Sequence, residues 1–256
     1  QNGAADNGEG GPEAGMGVDA GDYDGDGDLD LFVTNFSRET NPLYRNDRAA
    51  GFKDVSPGTD AANASFNQLG FGTFFFDADN DADLDLYIAN GHVLDRIQIL
   101  EADLRYAQND QLLQNDGQGH YSDISATSGA AFAQALVSRG AARGDYDNDG
   151  DLDVLVNHLN GPAALYRNDR PPGSHWLGLE LKGQAIGAQV HLTCDDRTQF
   201  RVVATSGTYL SAHDPRLHFG LGNCTRVEHI DILWPSGQTS ELSNVAIGRY
   251  LTVEAP

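Results

Sequence analysis

Lysine is nearly missing from this chain, with two residues against fourteen arginines, and glutamate is scarce, with eight residues beside thirty aspartates. Solvated helical surfaces are built from Glu and Lys, so a helical protein with an acidic coat is excluded. Basic charge is scarce as well: sixteen bases against thirty-eight acids leave a formal charge of −22. A phosphate-binding face needs the opposite sign, which excludes nucleic acid as a partner and disfavours anionic membranes. No apolar run approaches the roughly 18 to 20 residues of a membrane span. The two cysteines, Cys194 and Cys224, are too few for a disulfide scaffold and leave either one bridge or two free thiols open. Gly-x-Ser-x-Gly, His-Glu-x-x-His and Gly-rich phosphate loops are all absent. Of the eight histidines only His213 and His218, near Asp214, form a cluster, and a hydrogen-bonded turn accounts for it better than catalysis. The expectation is that the chain is not an enzyme.

The charge is unevenly placed. Residues 174–256 hold eight acids and six bases, a net of −2, which leaves −20 for residues 1–173. The shift predicts a boundary near Pro171-Pro172-Gly173, with 174–256 as a separate unit and 1–14, rich in glycine, as a flexible start. The chain opens on Gln1 with no charged-then-apolar leader, and the expectation is that a leader or a longer N-terminal region has been removed.

Self-comparison finds one nine-residue motif written three times: Asp22-Tyr-Asp-Gly-Asp-Gly-Asp-Leu-Asp30, Asp77-Ala-Asp-Asn-Asp-Ala-Asp-Leu-Asp85 and Asp145-Tyr-Asp-Asn-Asp-Gly-Asp-Leu-Asp153. Fifteen of the thirty aspartates lie in these loops. A glycine (Gly17, Gly72, Gly140) stands five residues before each, and strand-like alternation follows each. A second matched set ends in Asn46, Asn115 and Asn168, each a short strand running into a turn. The units, about 15–69, 70–137 and 138–173, read as four-stranded propeller blades, the third lacking its fourth strand. An extra stretch from Val93 to Gln111 carries Leu94, Ile97, Leu100 and Leu104 at near-helical spacing, predicting a short helix on the second blade.

Carboxylates at loop positions 1, 3, 5 and 9, with the carbonyl of position 7, form an oxygen-only cage suited to Ca²⁺. The ligands expected are Asp22, Asp24, Asp26, Asp28 and Asp30; Asp77, Asp79, Asp81, Asp83 and Asp85; and Asp145, Asp147, Asp149, Asp151 and Asp153, for about three ions. An EF-hand fails at position 12, where Val33, Ile88 and Val156 replace the bidentate Glu. Simple turn formation would leave five carboxylates in nine residues repelling one another. Gly27 and Gly150 ease the turn at position 6; Ala82 replaces them in the second loop, which is expected to be the weakest site.

These motifs resemble FG-GAP (VCBS-type) repeats. Residues from His175-Trp-Leu-Gly through Gly207-Thr-Tyr-Leu-Ser211 and Arg216-Leu-His-Phe-Gly-Leu-Gly222 to Trp234-Pro-Ser-Gly237 resemble the ASPIC/UnbV domain. The resemblance, over about residues 15–256, implies a secreted calcium-binding protein whose propeller usually has more blades upstream. The fold expected is all-β: a partial β-propeller of three blades, then a small β-sandwich, with strands at 176–181, 189–192, 200–204, 227–234 and 250–253.

The leading functional reading is an extracellular calcium-stabilised structural or adhesion protein, secreted or cell-surface, with the periplasm as an alternative. Its blades contact other protein chains in a homo-oligomer or filament. The alternatives are a carbohydrate-binding module taking glycans on exposed aromatics, and a non-catalytic part of a larger secreted enzyme. Sequons at Asn35, Asn63 and Asn223 permit glycosylation in a suitable host.

Overall fold

The computed structural model describes residues 3–4, 11–170, 173–205 and 207–256. Most of the 1–14 segment, and the expected boundary at Pro171 and Pro172, lie outside the described residues.

Short alternating runs broken by Asp, Asn and Gly turns form antiparallel sheets in chain order. The first contains β1 (Val18–Gly21), β2 (Asp30–Val33), β3 (Leu43–Asn46) and β4 (Phe52–Asp54). A short helix, α1 (Asp60–Ser65), follows; Thr59 caps it by accepting from the Ala62 amide at 3.2 Å. The second sheet contains β5 (Gly70–Phe76), β6 (Asp85–Asn90), β7 (Gln111–Asn115) and β8 (Tyr121–Asp123). Between β6 and β7 the expected helix is a single turn, α2 (Ile97–Leu100). Ile97 and Leu104 are buried there while Leu94 and Leu100 are exposed, so only part of the apolar spacing serves packing. The third sheet, β9 (Ser138–Gly144), β10 (Asp153–His158) and β11 (Ala164–Tyr166), stops at three strands.

These three sheets form a β-propeller arrangement, with inner strands β1, β5 and β9 side by side. Phe32, Phe75, Leu86, Ile88 and Leu113 fill the space between the first and second blades. Phe74, Tyr87, Val154 and Val156 fill that between the second and third. The glycines preceding the Asp loops permit the close approach of the inner strands. A Cβ on Gly17 would collide with the Phe71 carbonyl, and one on Gly72 would lie 2.8 Å from both Arg139 O and Ala141 N. At Gly140 the obstacle is Ser211, so the neighbour next in line is a C-terminal segment rather than another blade strand.

Beyond residue 174 two sheets enclose a core of Leu177, Leu179, Val190, Phe219, Ile230 and Trp234. One runs in the order β15 (Leu217–Gly222), β12 (His175–Lys182), β18 (Tyr250–Glu254), with β12 and β18 parallel. The other runs β14 (Arg197–Val202), β13 (Gln189–Cys194), β16 (Val227–Leu233), β17 (Thr239–Val245). Two of these strands escape sequence reading: β15 because glycines interrupt it, and β17 because its edge sequence TSELSNV is mostly polar. The first strand of this region pairs with β15 and β18, so it does not stand in for the missing outer strand of the third blade. A disulfide joins Cys194 to Cys224 with Cα atoms 6.2 Å apart, tying the end of β13 to the turn after β15.

Candidate metal centres

Each Asp loop joins the inner strand of a blade to the next strand, so the sheet register fixes both ends of the loop. Among the described residues, side-chain oxygens converge within 4.8 Å in three groups: Asp22, Asp24 and Asp30; Asp77, Asp79 and Asp85; Asp145, Asp147 and Asp153. These are positions 1, 3 and 9. Position 5 is outside each group. Asp26, Asp81 and Asp149 instead accept from the amide two residues on, at 2.9, 2.9 and 3.0 Å, and so shape the turn. Position 7 side chains point to other partners: Asp28 pairs with Arg48, Asp83 with Arg197, and Asp151 accepts from the Arg170 amide at 3.1 Å. Only their carbonyls remain as expected ligands.

Position 1 accepts from the amide of position 6, and position 9 from the amide of position 2, in every loop. The other oxygen of position 9 accepts from Asn46, Asn115 or Asn168, at 2.8, 2.9 and 2.9 Å. The matched asparagines are thus the partners that orient the last carboxylate, a role their spacing alone does not disclose. Their side chains also cross between blades: Asn115 Nδ2 donates to the Tyr23 carbonyl at 3.0 Å and Asn168 Nδ2 to the Ala78 carbonyl at 2.8 Å.

Burial dominates the electrostatics. It raises the Asp30 and Asp77 carboxyls to about 7 and Asp81 to about 6, and pushes Asp85 well above the usual carboxylate range. Asp22, Asp24, Asp151 and Asp153 move upward from the same first cause. Asp22 Oδ1 and Asp79 Oδ1 are buried with no hydrogen-bond partner. An orphaned, desolvated carboxylate oxygen inside an oxygen-only cluster fits a hard divalent cation. Position 6 has positive φ throughout: 86° at Gly27, 80° at Ala82 and 95° at Gly150.

Sequence reading misses the residues that reach the loops from the C-terminal sheets. Tyr250 donates to Asp145 Oδ2 at 2.8 Å, and Arg216 to the Asp145 carbonyl at 2.9 Å and to Asn148 Oδ1 at 2.6 Å. His218 Nε2 bonds the Gly150 carbonyl at 2.9 Å. On the second loop, Arg197 bonds Asp83 and the Ala82 carbonyl, and the Gly222 amide donates to the Asn80 carbonyl at 2.7 Å. A Cβ on Gly220 would collide with the Asp77 carboxylate. The His213, Asp214, His218 cluster therefore faces the third blade; His213 Nδ1 accepts from the Arg143 amide at 3.2 Å and Asp214 pairs with Arg216. Burial pulls His213 and His218 down to about 3 and about 4, so both are neutral.

Residues 22–88 match the FG-GAP-like repeat, and residues 178–256 match the ASPIC and UnbV domain. The chain is similar to cartilage acidic protein 1. It is 25% identical to the Mus musculus protein over 240 residues, covering 88% of this chain and 34% of that protein. It is 24% identical to the Homo sapiens protein over 255 residues, covering 93% of this chain and 35% of that protein. The chain thus spans about a third of the length of the curated relatives it matches. Among the described residues no helix is long and apolar enough to cross a membrane.

Proposed function

We propose that this chain is part of an extracellular, non-catalytic structural or adhesion protein whose propeller blades are stabilised by about three Ca²⁺ ions. The observation that carries this reading is the threefold convergence of positions 1, 3 and 9, with buried oxygens of Asp22 and Asp79 left without donors. Positions 1, 3, 5 and 9 and the position 7 carbonyl would hold the ion, with position 5 turning from its backbone partner. The cation would supply the charge that three or more crowded carboxylates lack. The disulfide and the similarity to cartilage acidic protein 1 support an oxidising, extracellular setting. The test is thermal unfolding with and without excess EGTA: chelation is expected to lower the melting temperature by several degrees, and an unchanged transition would sink the reading.

Assembly with other chains is part of the same proposal, as a homo-oligomer or filament. Among the described residues the Asn46 side chain bonds the Leu29 carbonyl of its own blade at 3.1 Å, whereas those of Asn115 and Asn168 cross to the blade before. The third blade exposes Tyr146, Leu155 and Leu165 and ends at β11. The exposed apolar side chains of the third blade, beside the C-terminal segment that follows its inner strand, thus offer a surface on which another chain would pack. Light scattering tests the assembly; a monodisperse monomer would count against it. Glycan binding on exposed tryptophan is less supported, since Trp234 is buried and Trp176 packs against Gly150.

A further inference from the structure

A cavity of about 330 Å³ lies where inner strands β1 and β5 and the third blade meet the C-terminal sheets. Its size places it at the small end of ligand pockets, which run from about 300 to 1,000 Å³. It borders the second metal triad through Asp77, which lines it, and differs from the triads in that two arginines line it as well. Arg143 comes from the third blade and Arg201 from β14. Neither makes an ion pair at or below 4.0 Å with any described carboxylate, though Asp19 and Asp214 act on Arg143, and Asp77 and Asp22 on Arg201, from farther away. Arg143 Nε is buried without a hydrogen-bond partner, and its guanidinium donates to no described residue. Arg201 uses donors on the Phe200 carbonyl and on Gln199, at 2.9 and 3.1 Å, and keeps its remaining ones. The two guanidiniums oppose each other's charge, and Asp19 and Asp77 on the same walls offset this only from beyond ion-pair distance, which leaves the free donors available to a bound oxyanion.

Acceptors stand on the same walls. His218 donates Nε2–H to the Gly150 carbonyl, which makes Nδ1 the lone-pair nitrogen, and that atom is buried and unpartnered. Asp19 accepts from the Phe75 amide at 2.9 Å through Oδ2 and has further capacity to accept. A bare oxyanion would leave these acceptors unmet, whereas a ligand with both a carboxylate and hydroxyls would meet donors and acceptors together. Ala20 and Ala204 at the rim are exposed, which provides entry.

From this arrangement we infer that the cavity binds a small polyhydroxylated carboxylate, a sugar acid, with its carboxylate between Arg143 and Arg201 and hydroxyls on Asp19 and His218. The probe is free glucuronate, titrated against the 256-residue chain in calcium and followed by calorimetry and melting temperature at ionic strength fixed with sodium chloride. A saturable rise is expected with glucuronate and none with glucose. Arg143→Gln and Arg201→Gln are each expected to weaken binding about tenfold or more. Should either variant fail to fold, Ala20→Trp, at the exposed rim, is expected to block the cavity and abolish binding while leaving the fold intact. No saturable effect of glucuronate, or binding that survives Ala20→Trp, overturns the inference. Equal affinity for acetate, sulfate and glucuronate overturns the sugar-acid assignment in favour of a simple oxyanion.

Discussion

Asn115 Nδ2 donates to the carbonyl of Tyr23, 92 residues earlier in the chain, while its backbone amide donates to Asp85 of its own blade. One residue therefore orients the last carboxylate of the second loop and grips the first. Asn115→Ala is expected to destabilise the chain by roughly 1–3 kcal/mol, the cost of leaving buried groups unpaired. A calcium titration should show weakened binding at more than one site, because the lost grip lies between two loops. An effect confined to a single site would show that the cross-blade bond does not couple them.

Ala82 is the one loop position 6 without glycine, and its φ of 80° is left-handed. Ala82→Gly is expected to stabilise the chain by about 1 kcal/mol and to tighten the second site, by relief of that conformation. Chemical denaturation with and without calcium would check both; a loss of stability in both conditions would mean that the Ala82 methyl contributes more to packing than its backbone costs.

The metal-free chain should lose stability as pH rises. Asp30 and Asp77, raised to about 7 by burial, hold protons in the fold that the unfolded chain, with an ordinary value near 3.8, releases. Their favourable contribution is complete below that unfolded value and is lost as pH climbs through about 7. Melting in EGTA from acid toward neutrality should therefore show a falling midpoint, and calcium at neutral pH should restore it. A rising midpoint in EGTA would contradict the desolvation described for these carboxyls.

The Cys194–Cys224 bridge closes a loop with a sequence separation of 30. Replacing both cysteines by serine should cost roughly 3 kcal/mol through the freed unfolded chain. The loss should appear in the presence and absence of calcium alike, since neither residue belongs to an Asp loop.

Much of this was legible in the sequence because the information was local and periodic. Asp22 to Asp30, repeated twice, dictates a turn; the alternation after each motif dictates a strand; and the glycines at 17, 72 and 140 announce close packing. What stayed hidden is non-local. Nothing near Tyr250, Arg216 or Arg197 indicates that they reach loops 105, 71 and 114 residues away. Spacing also could not show that position 5 bonds its own turn. Of the three sequons, Asn35 is buried and donates to Thr40, so folding withdraws it, while Asn63 and Asn223 remain exposed.

The three loops share a motif but not an exit. Asp24 and Asp147 face solvent, whereas Asp79 is half-buried and Asn80 lies beneath the strand that carries Gly220 and Gly222. An ion in the middle loop would have to wait for that strand to lift before it could leave. The site whose backbone is the most strained would then also have the longest residence time, so an affinity ranking and a release-rate ranking of the three loops would disagree.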